Sequence, residues 1–430
     1  MSSHQRDLAR GFTWLGGATL AAKIIDFATI LAVLAFLTKQ QVGIGSLVVS
    51  AGMVIEALDG FGTSEALVQS PSVNPIQLNT LFWFVVSAAC VVAGLTLLAA
   101  PWIAAVYGVS GMTAYFWAIA LKQPLVGAAL VPLALMNRDL QFERIAAVNL
   151  CATLAAAATR LGLAVWGAGA WSLVAAYVAS GLFTLIAVQF ARPYWPKLQL
   201  RLSAIRPLLH FGLRAATSNF FEQTFRNIDF LLVGWFYGPA PLAVYRVAFD
   251  VAMEPATAAG TLVNRTALPV FARADTAQRA DTLTWSLRRL AYLVAPLMVG
   301  LILAADPLTA LLHDQQGHSY AAAALPLKLL AAAALPRVTM QSIYPLLMGS
   351  GRPGTAARLS GMTMLLLTGG VLIAGFSFPA SSGLIAVSAV WLLIYPPLLV
   401  WGATHLQQHW DISIGTLVGT FGVPIVAIMG

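Results

Sequence analysis

The chain has 430 residues, of which 59% are hydrophobic and only 9% are charged, whereas a soluble protein carries about 25% charged residues. This composition excludes a soluble globular protein and predicts an all-α polytopic membrane protein. The formal net charge of +8 would suit a nucleic-acid partner, but the positions of the basic residues argue for membrane topology instead.

Apolar runs of about 20 residues are long enough to cross a bilayer, and the chain contains twelve of them. In chain order they lie at 12–38, 43–69, 77–106, 112–136, 144–167, 170–191, 206–237, 241–271, 286–306, 320–348, 355–377 and 382–404. A further run at 412–430 predicts an incomplete thirteenth helix in the tail 405–430. The polar linker at 192–205 predicts a division into an N-terminal six-helix lobe at 1–191 and a C-terminal six-helix lobe at 206–404.

The two predicted lobes share one pattern of charge. In each lobe the charged residues crowd into the first two spans. Because each lobe has six spans, the second lobe begins on the same side of the membrane as the first, which is typical of parallel repeats. We therefore expect two pseudo-symmetric six-helix bundles around a central cavity.

Loop charges predict the orientation in the membrane. Fourteen basic residues lie in the N-terminal tail and in the loops after even-numbered spans, whereas Lys39 stands alone in the alternate loops. Basic residues concentrate on the cytoplasmic side of membrane proteins. The N-terminus is therefore predicted to be cytoplasmic, and no nucleic-acid partner is expected.

Charges inside the spans predict a polar interior. A charge at the bilayer centre costs roughly 2.5–3.5 kcal/mol even on the lenient insertion scale, so these side chains must face protein or water. The nine basic and eight acidic residues are Lys23, Lys122, Arg160, Arg214, Arg226, Arg246, Arg265, Lys328, Arg337, Asp26, Glu56, Asp59, Glu65, Glu222, Asp229, Asp250 and Glu254. They indicate transport of a polar substrate.

Several of these charges are spaced for contact along one helix. Glu222 and Arg226 are four residues apart, as are Arg246 and Asp250, and side chains at this spacing can pair. Such pairs can be structural ion pairs or can line a substrate cavity. Because two spans in each half carry such charges, we favour the cavity.

Catalytic and metal-binding signatures are not expected. The segment 349–354 matches G-x-G-x-x-G by letters, but it follows no strand and opens no βαβ unit. His405 and His409 are four residues apart without further ligands nearby in sequence. We therefore predict that the protein is not an enzyme and uses neither a cofactor nor a metal.

A series of short motifs resembles a known family over nearly the whole chain. In order they are Gly43, 56–62 (EALDGFG), 66–69 (ALVQ), 81–83 (LFW), 101–107 (PWIAAVY), 138–142 (RDLQF), 167–171 (GAGAW), 206–212 (RPLLHFG), 227–234 (NIDFLLVG), Gly238 and Tyr245. Together they resemble the bacterial polysaccharide transporters, which are Wzx-like oligosaccharide flippases. These belong to the multidrug/oligosaccharidyl-lipid/polysaccharide flippase superfamily.

The resemblance implies a function. It implies a multi-pass protein of the bacterial inner membrane that translocates undecaprenyl-diphosphate-linked oligosaccharide repeat units by alternating access, for lipopolysaccharide or exopolysaccharide biosynthesis. The expected partners are this lipid-linked substrate, membrane lipids, and the polysaccharide polymerase and export machinery.

The predicted site residues follow from that substrate. Arginine suits a diphosphate because its planar fork binds two oxygens at once. The diphosphate candidates are Arg214, Arg226, Arg246, Arg265, Arg160 and Lys23. The acidic candidates for ion coupling or for pairing with these bases are Asp26, Glu56, Asp59, Glu222, Asp229, Asp250 and Glu254.

Two alternatives predict different features. A drug/cation antiporter of the same superfamily would have a cavity dominated by carboxylates and aromatic rings, whereas basic residues slightly outnumber acidic ones in these spans. A membrane-embedded polysaccharide polymerase or ligase would carry a large periplasmic loop, whereas the longest predicted external loop covers only 306–319.

Overall fold

The computed structural model describes residues 3–70, 73–273, 276–349 and 353–410, and these residues are almost entirely helical. The α-helices before the predicted linker are α1 (Ser3–Leu34), α2 (Lys39–Glu56), α3 (Thr63–Gln69), α4 (Pro75–Tyr107), α5 (Met112–Arg138), α6 (Phe142–Val165) and α7 (Trp171–Ala191). Those after it are α8 (Leu202–Tyr237), α9 (Pro239–Arg273), α10 (Thr276–Leu311), α11 (Ala324–Gly349), α12 (Pro353–Ser377) and α13 (Ala380–Trp410).

The lengths and apolar composition of these helices fit a membrane. Within the described residues, nine helices are long and apolar enough to cross one, and they lie in α1, α4 to α7 and α10 to α13. The other three predicted spans correspond to α2 with α3, to α8 and to α9, which carry most of the predicted span charges. The prediction of an all-α polytopic membrane protein is confirmed. The predicted helix at 412–430 lies outside the described residues.

Local sequence signals explain where α2 and α4 begin. The Thr38 hydroxyl accepts a hydrogen bond from the backbone N–H of Gln41, and the Gln41 side-chain oxygen accepts one from the backbone N–H of Thr38. Asn74 and Gln77 form the same reciprocal arrangement before α4. Such capping boxes satisfy backbone N–H groups that the first helical turn leaves without partners.

The second predicted span, at 43–69, is not one continuous helix. α2 ends at Glu56, a 3-10 helix follows over Asp59–Gly62, and α3 begins at Thr63. Irregular backbone at membrane depth is tolerated only where protein or water surrounds it. The break therefore lies in a protected or wet part of the molecule.

Two glycines explain the break. Gly60 and Gly62 have φ angles of 74° and 63°, in the left-handed region that glycine adopts without a steric penalty. A Cβ on Gly62 would lie 2.0 Å from the carbonyl oxygen of Gly212 in α8. The two glycines thus let the backbone turn and let α8 approach it closely.

The helices pack as two units, which divide after Ala240. In the first unit, α4 packs on α5, α5 on α7 and α6 on α7, and α8 contacts α2, α3 and α4. In the second unit, α10 packs on α11, α11 on α13 and α12 on α13. The same order of contacts thus recurs six helices later, as the predicted internal repeat requires. The lobe boundary at the linker stays a prediction.

The predicted linker at 192–205 is anchored to the first turns of α4. The Asn79 amide donates to Gln199 Oε1 at 2.9 Å, and the Trp83 indole donates to a backbone carbonyl of the linker at 3.1 Å. The Tyr194 hydroxyl donates to Asn79 Oδ1 at 3.2 Å, and burial raises the pKa of Tyr194 to about 12. Tyr194 stays protonated at physiological pH and so remains a donor to Asn79. The linker is part of the packed first unit.

Candidate functional site

Three residues of the first unit form a charged cluster beside the break in the second span. The Lys122 ammonium on α5 lies 2.7 Å from Glu56 Oε2 at the end of α2. The Tyr177 hydroxyl on α7 donates to the same oxygen, and Lys122 Nζ lies 3.4 Å from the centre of the Tyr177 ring. The Lys122 side chain is only 6% exposed, and this carboxylate and ring stabilise its buried charge.

The sequence prediction selected Glu56 as a site residue but not Lys122 or Tyr177. A lysine in the middle of an apolar span was the available signal for Lys122. No comparable signal existed for Tyr177, because its partner is 121 residues away.

A second ion pair joins α1 to α6. Arg160 Nη1 lies 2.8 Å from Asp26 Oδ1, and the same nitrogen donates to Thr29 Oγ1 at 2.8 Å. The Arg160 side chain is mostly buried, whereas half of the Asp26 side chain is exposed. Two predicted site residues are thus brought together as base and acid.

On α8 the predicted contact between Glu222 and Arg226 is confirmed. Arg226 Nη2 lies 2.7 Å from Glu222 Oε1, and both side chains are well exposed. One helical turn further on, Asp229 is completely buried. Exposed pairs of this kind contribute little to stability, typically about 0–1 kcal/mol.

On α9 the predicted contact between Arg246 and Asp250 is also confirmed. Arg246 Nε lies 2.8 Å from Asp250 Oδ2, and the Asp250 side chain is only 6% exposed. Glu254 lies a further turn along and is half-buried. This is a buried acid with a partly exposed base, so the base can also reach solvent or a ligand.

Arg337 on α11 is buried, and no carboxylate of the described residues pairs with it. It is 6% exposed, and its guanidinium carbon lies 4.7 Å from the centre of the Trp391 ring and 5.4 Å from that of Phe249. The Trp391 indole donates to the Tyr245 hydroxyl at 2.8 Å. Among the described residues, no acceptor reaches the buried Nε and Nη1 atoms of Arg337.

The rings only partly compensate for the burial of this charge. A desolvated cation–π contact is worth about 2 kcal/mol, whereas the burial of an ion costs several times that before it is paired. The sequence prediction counted Arg337 among the span charges but did not select it as a site residue.

The remaining predicted residues are less fully described. Lys23 on α1 is half-buried. The side-chain surroundings of Asp59, Arg214 and Arg265 lie outside the described part of the structure. Their predicted roles stay predictions.

The pairs Lys122–Glu56, Arg160–Asp26 and Arg246–Asp250 share one chemical property. Each places a guanidinium or ammonium group beside a carboxylate within a helix predicted to span the membrane. Such groups can bind phosphate oxygens with charge-assisted hydrogen bonds. In the described residues, no cluster of three histidine, cysteine or acidic side chains is placed to hold a metal ion.

Comparison with known proteins identifies the family. The sequence matches the polysaccharide biosynthesis protein family over residues 32–322, which is more than half of the chain. The protein belongs to this family.

Curated relatives in this family are similar along most of their length. The lipopolysaccharide biosynthesis protein WzxC of Escherichia coli (strain K12) is 22% identical, over 92% of this chain and 79% of WzxC. The succinoglycan biosynthesis transport protein ExoT of Rhizobium meliloti (strain 1021) is 23% identical, over 86% of this chain and 74% of ExoT. The family predicted from sequence motifs is therefore confirmed.

Solved structures share the fold. The lipid II flippase MurJ in an inward closed conformation superposes with a TM-score of 0.75 at 12% identity, covering 96% of this chain and 92% of MurJ. An inward-facing multidrug resistance transporter of the MATE family gives a TM-score of 0.69 at 12% identity, covering 93% of this chain and 99% of that one. At this identity the likeness shows the fold alone.

Proposed function

We propose that this protein is a flippase that moves undecaprenyl-diphosphate-linked oligosaccharide repeat units across the bacterial inner membrane by alternating access. Its membership in the polysaccharide biosynthesis protein family, matched over residues 32–322, carries this proposal. One similar relative is named a biosynthesis transport protein. The glycan would serve lipopolysaccharide or exopolysaccharide biosynthesis.

The chemistry of the site supports an anionic, sugar-bearing substrate. A diphosphate with several sugars cannot cross hydrocarbon unaided, because its charges would lose their hydration. Basic groups inside the spans offer that diphosphate charge-assisted hydrogen bonds. We assign this role to the predicted set Arg214, Arg226, Arg246, Arg265, Arg160 and Lys23.

The acidic residues would then act through the bases. Asp26, Glu56 and Asp250 each contact a base at 2.7–2.8 Å. Such partners limit the affinity of a base for phosphate and ease release of the substrate. Coupling to a proton or a sodium ion is the further role proposed for the acidic set.

The ion pairs also argue against a drug/cation antiporter. A cationic drug needs a carboxylate that is available to it, whereas these three carboxylates already face guanidinium or ammonium groups. We accordingly propose transport rather than catalysis. We also propose that the polysaccharide polymerase and export machinery act on the product.

Deletion of the gene in its source organism, with analysis of lipid-linked oligosaccharide in each leaflet, tests the proposal. We expect the repeat unit to accumulate in the cytoplasmic leaflet and polymer at the surface to be lost. Complementation with the wild-type chain should reverse both effects. Normal polymer without accumulation, together with raised sensitivity to cationic drugs, would point to the antiporter instead.

A further inference from the structure

Arg337 differs from the other described arginines inside the predicted spans. Arg160, Arg226 and Arg246 each lie within 2.8 Å of a carboxylate oxygen. Arg337 is at least as buried, yet no carboxylate among the described residues pairs with it, and its guanidinium lies near two aromatic rings. Within the described part of the chain, its charge therefore lacks the carboxylate partner that the other three have.

This charge cannot be removed by loss of a proton. A guanidinium group stays protonated in proteins, so the cost of its burial falls only when partners, such as an anion, stabilise the charge. The structure holds two buried donor nitrogens of Arg337, Nε and Nη1, without an acceptor among the described residues. Nearly all buried donors in native proteins are satisfied, and these two point to an acceptor that binds there.

The aromatic residues orient the guanidinium for such a ligand. The rings of Trp391 and Phe249 lie near the guanidinium. The five N–H groups point outward in the guanidinium plane, so an acceptor approaches from the edge. The hydrogen bond from Trp391 to Tyr245 restrains the Trp391 ring, and we regard both as positioning residues.

We propose that Arg337 binds a phosphate oxyanion within the second unit. The planar fork of arginine matches two oxygens of a phosphate. The choice of phosphate rests on the proposed function, whereas the need for an anion rests on the structure alone. The oxyanion can belong to the diphosphate of a polyprenyl lipid or can be free phosphate.

The test measures thermal unfolding of the purified full-length protein in detergent. Farnesyl diphosphate, inorganic pyrophosphate and farnesol are titrated against the wild type, Arg337→Met and Arg337→Lys. Lys328→Gln is the matched control, because Lys328 lies on the same helix, is partly exposed and pairs with Asp306 at 2.6 Å.

We expect farnesyl diphosphate, but not farnesol, to raise the melting temperature of the wild type and of Lys328→Gln. In Arg337→Met the apparent affinity should fall about ten- to a hundredfold, the effect of one or two lost charge-assisted hydrogen bonds. The apparent affinity of Arg337→Lys should lie between those of the wild type and Arg337→Met, because lysine keeps the charge without the planar fork of arginine. An equal response to pyrophosphate would identify free phosphate as the ligand, and a response to farnesyl diphosphate alone would identify the lipid headgroup.

The inference also predicts the melting temperature of Arg337→Met in the absence of ligand. Replacement of an uncompensated buried charge by an apolar side chain should leave the melting temperature unchanged or higher. A lower value would show that Arg337 already has a structural partner. If Arg337→Met does not fold, unchanged affinity in Arg337→Lys overturns the proposal, as does a wild type that no phosphate compound stabilises.

Failure of this inference is distinguishable from failure of the proposed function. A protein that binds diphosphate through Arg337, while gene deletion causes no substrate to accumulate, would refute the flippase and retain the anion site. Accumulation of the substrate on gene deletion, combined with diphosphate binding that does not depend on Arg337, would retain the flippase and refute the anion site.

Discussion

At the residue scale, the buried Lys122 ammonium pairs with the Glu56 carboxylate. Replacement of Glu56 by glutamine removes a carboxylate 2.7 Å from the buried Lys122 ammonium, and loss of one partner of a buried pair costs about 3–5 kcal/mol. We therefore expect Glu56→Gln to lower the melting temperature clearly. A second change, Lys122→Met, should recover much of the loss, because the apolar side chain fills the same space without charge.

The exposed pair on α8 provides the comparison for that experiment. Glu222→Gln removes the same kind of contact, but Arg226 is 45% exposed, so water can replace the carboxylate. Glu222→Gln should therefore lower the free energy of unfolding by less than about 1 kcal/mol. Equal destabilisation by Glu56→Gln and Glu222→Gln would contradict the assigned role of burial.

Arg246 allows substrate binding to be separated from structural pairing. The double change Arg246→Gln with Asp250→Asn removes both charges of this pair, so that neither residue stays charged without the other. If Arg246 binds the diphosphate, polysaccharide export should fall at least about tenfold, because charge-assisted hydrogen bonds are lost. Export is measured as surface polymer at matched protein levels in the membrane.

The pair between Arg192 and Asp139 is the matched control for Arg246. These two residues form an ion pair beyond the ends of α7 and α5. Arg192→Gln with Asp139→Asn should therefore export normally. If Arg246→Gln with Asp250→Asn also exports normally, the pair of Arg246 and Asp250 is only a structural contact.

At the scale of elements, the break between α2 and α3 depends on glycine. In Gly62→Ala, the new Cβ would meet the Gly212 carbonyl oxygen at 2.0 Å, and alanine would also have to adopt a left-handed φ. A non-glycine residue in that region costs about 1–3 kcal/mol. We expect a lower melting temperature and a looser contact between α3 and α8.

Gly94→Ala is the control for this prediction. Gly94 lies inside α4, and a Cβ there would meet nothing within 4 Å. Alanine should be neutral or stabilise the helix by up to about 1 kcal/mol. If both alanine variants unfold at the wild-type temperature, the close approach of α8 to the break is not important for stability.

At the scale of the whole molecule, the loop charges predict the orientation in the membrane. Cysteines introduced at Ser110 and Ser381, both exposed, should react with an impermeant thiol reagent in intact cells. A cysteine at Ser203, also exposed, should react only after the cells are opened, because it lies on the predicted cytoplasmic side. Labelling in the opposite sense would invert the topology.

The native cysteines must be replaced before that experiment, because an exposed cysteine could also react with the thiol reagent. Cys90 and Cys151 are free and exposed in the structure, where exposure includes surface that would face lipid. The labelling is therefore done on a background of Cys90→Ala and Cys151→Ala.

The sequence by itself determined the membrane class, the family and most of the helices. A helix must be about 20 apolar residues long to cross a bilayer, and that property is local in the chain. The pairs Glu222–Arg226 and Arg246–Asp250 were predictable for the same reason, because helical geometry alone brings residues four apart together.

Only the tertiary structure decided which distant charges meet. Asp26 contacts Arg160 across 134 residues of chain, and Glu56 contacts Lys122 across 66, and no local spacing encodes such partners. The break at Gly62 likewise depends on how closely α8 approaches. The isolation of Arg337 among aromatic rings arises from the packing of α9, α11 and α13, because the cost of a buried charge is set by its surroundings in space.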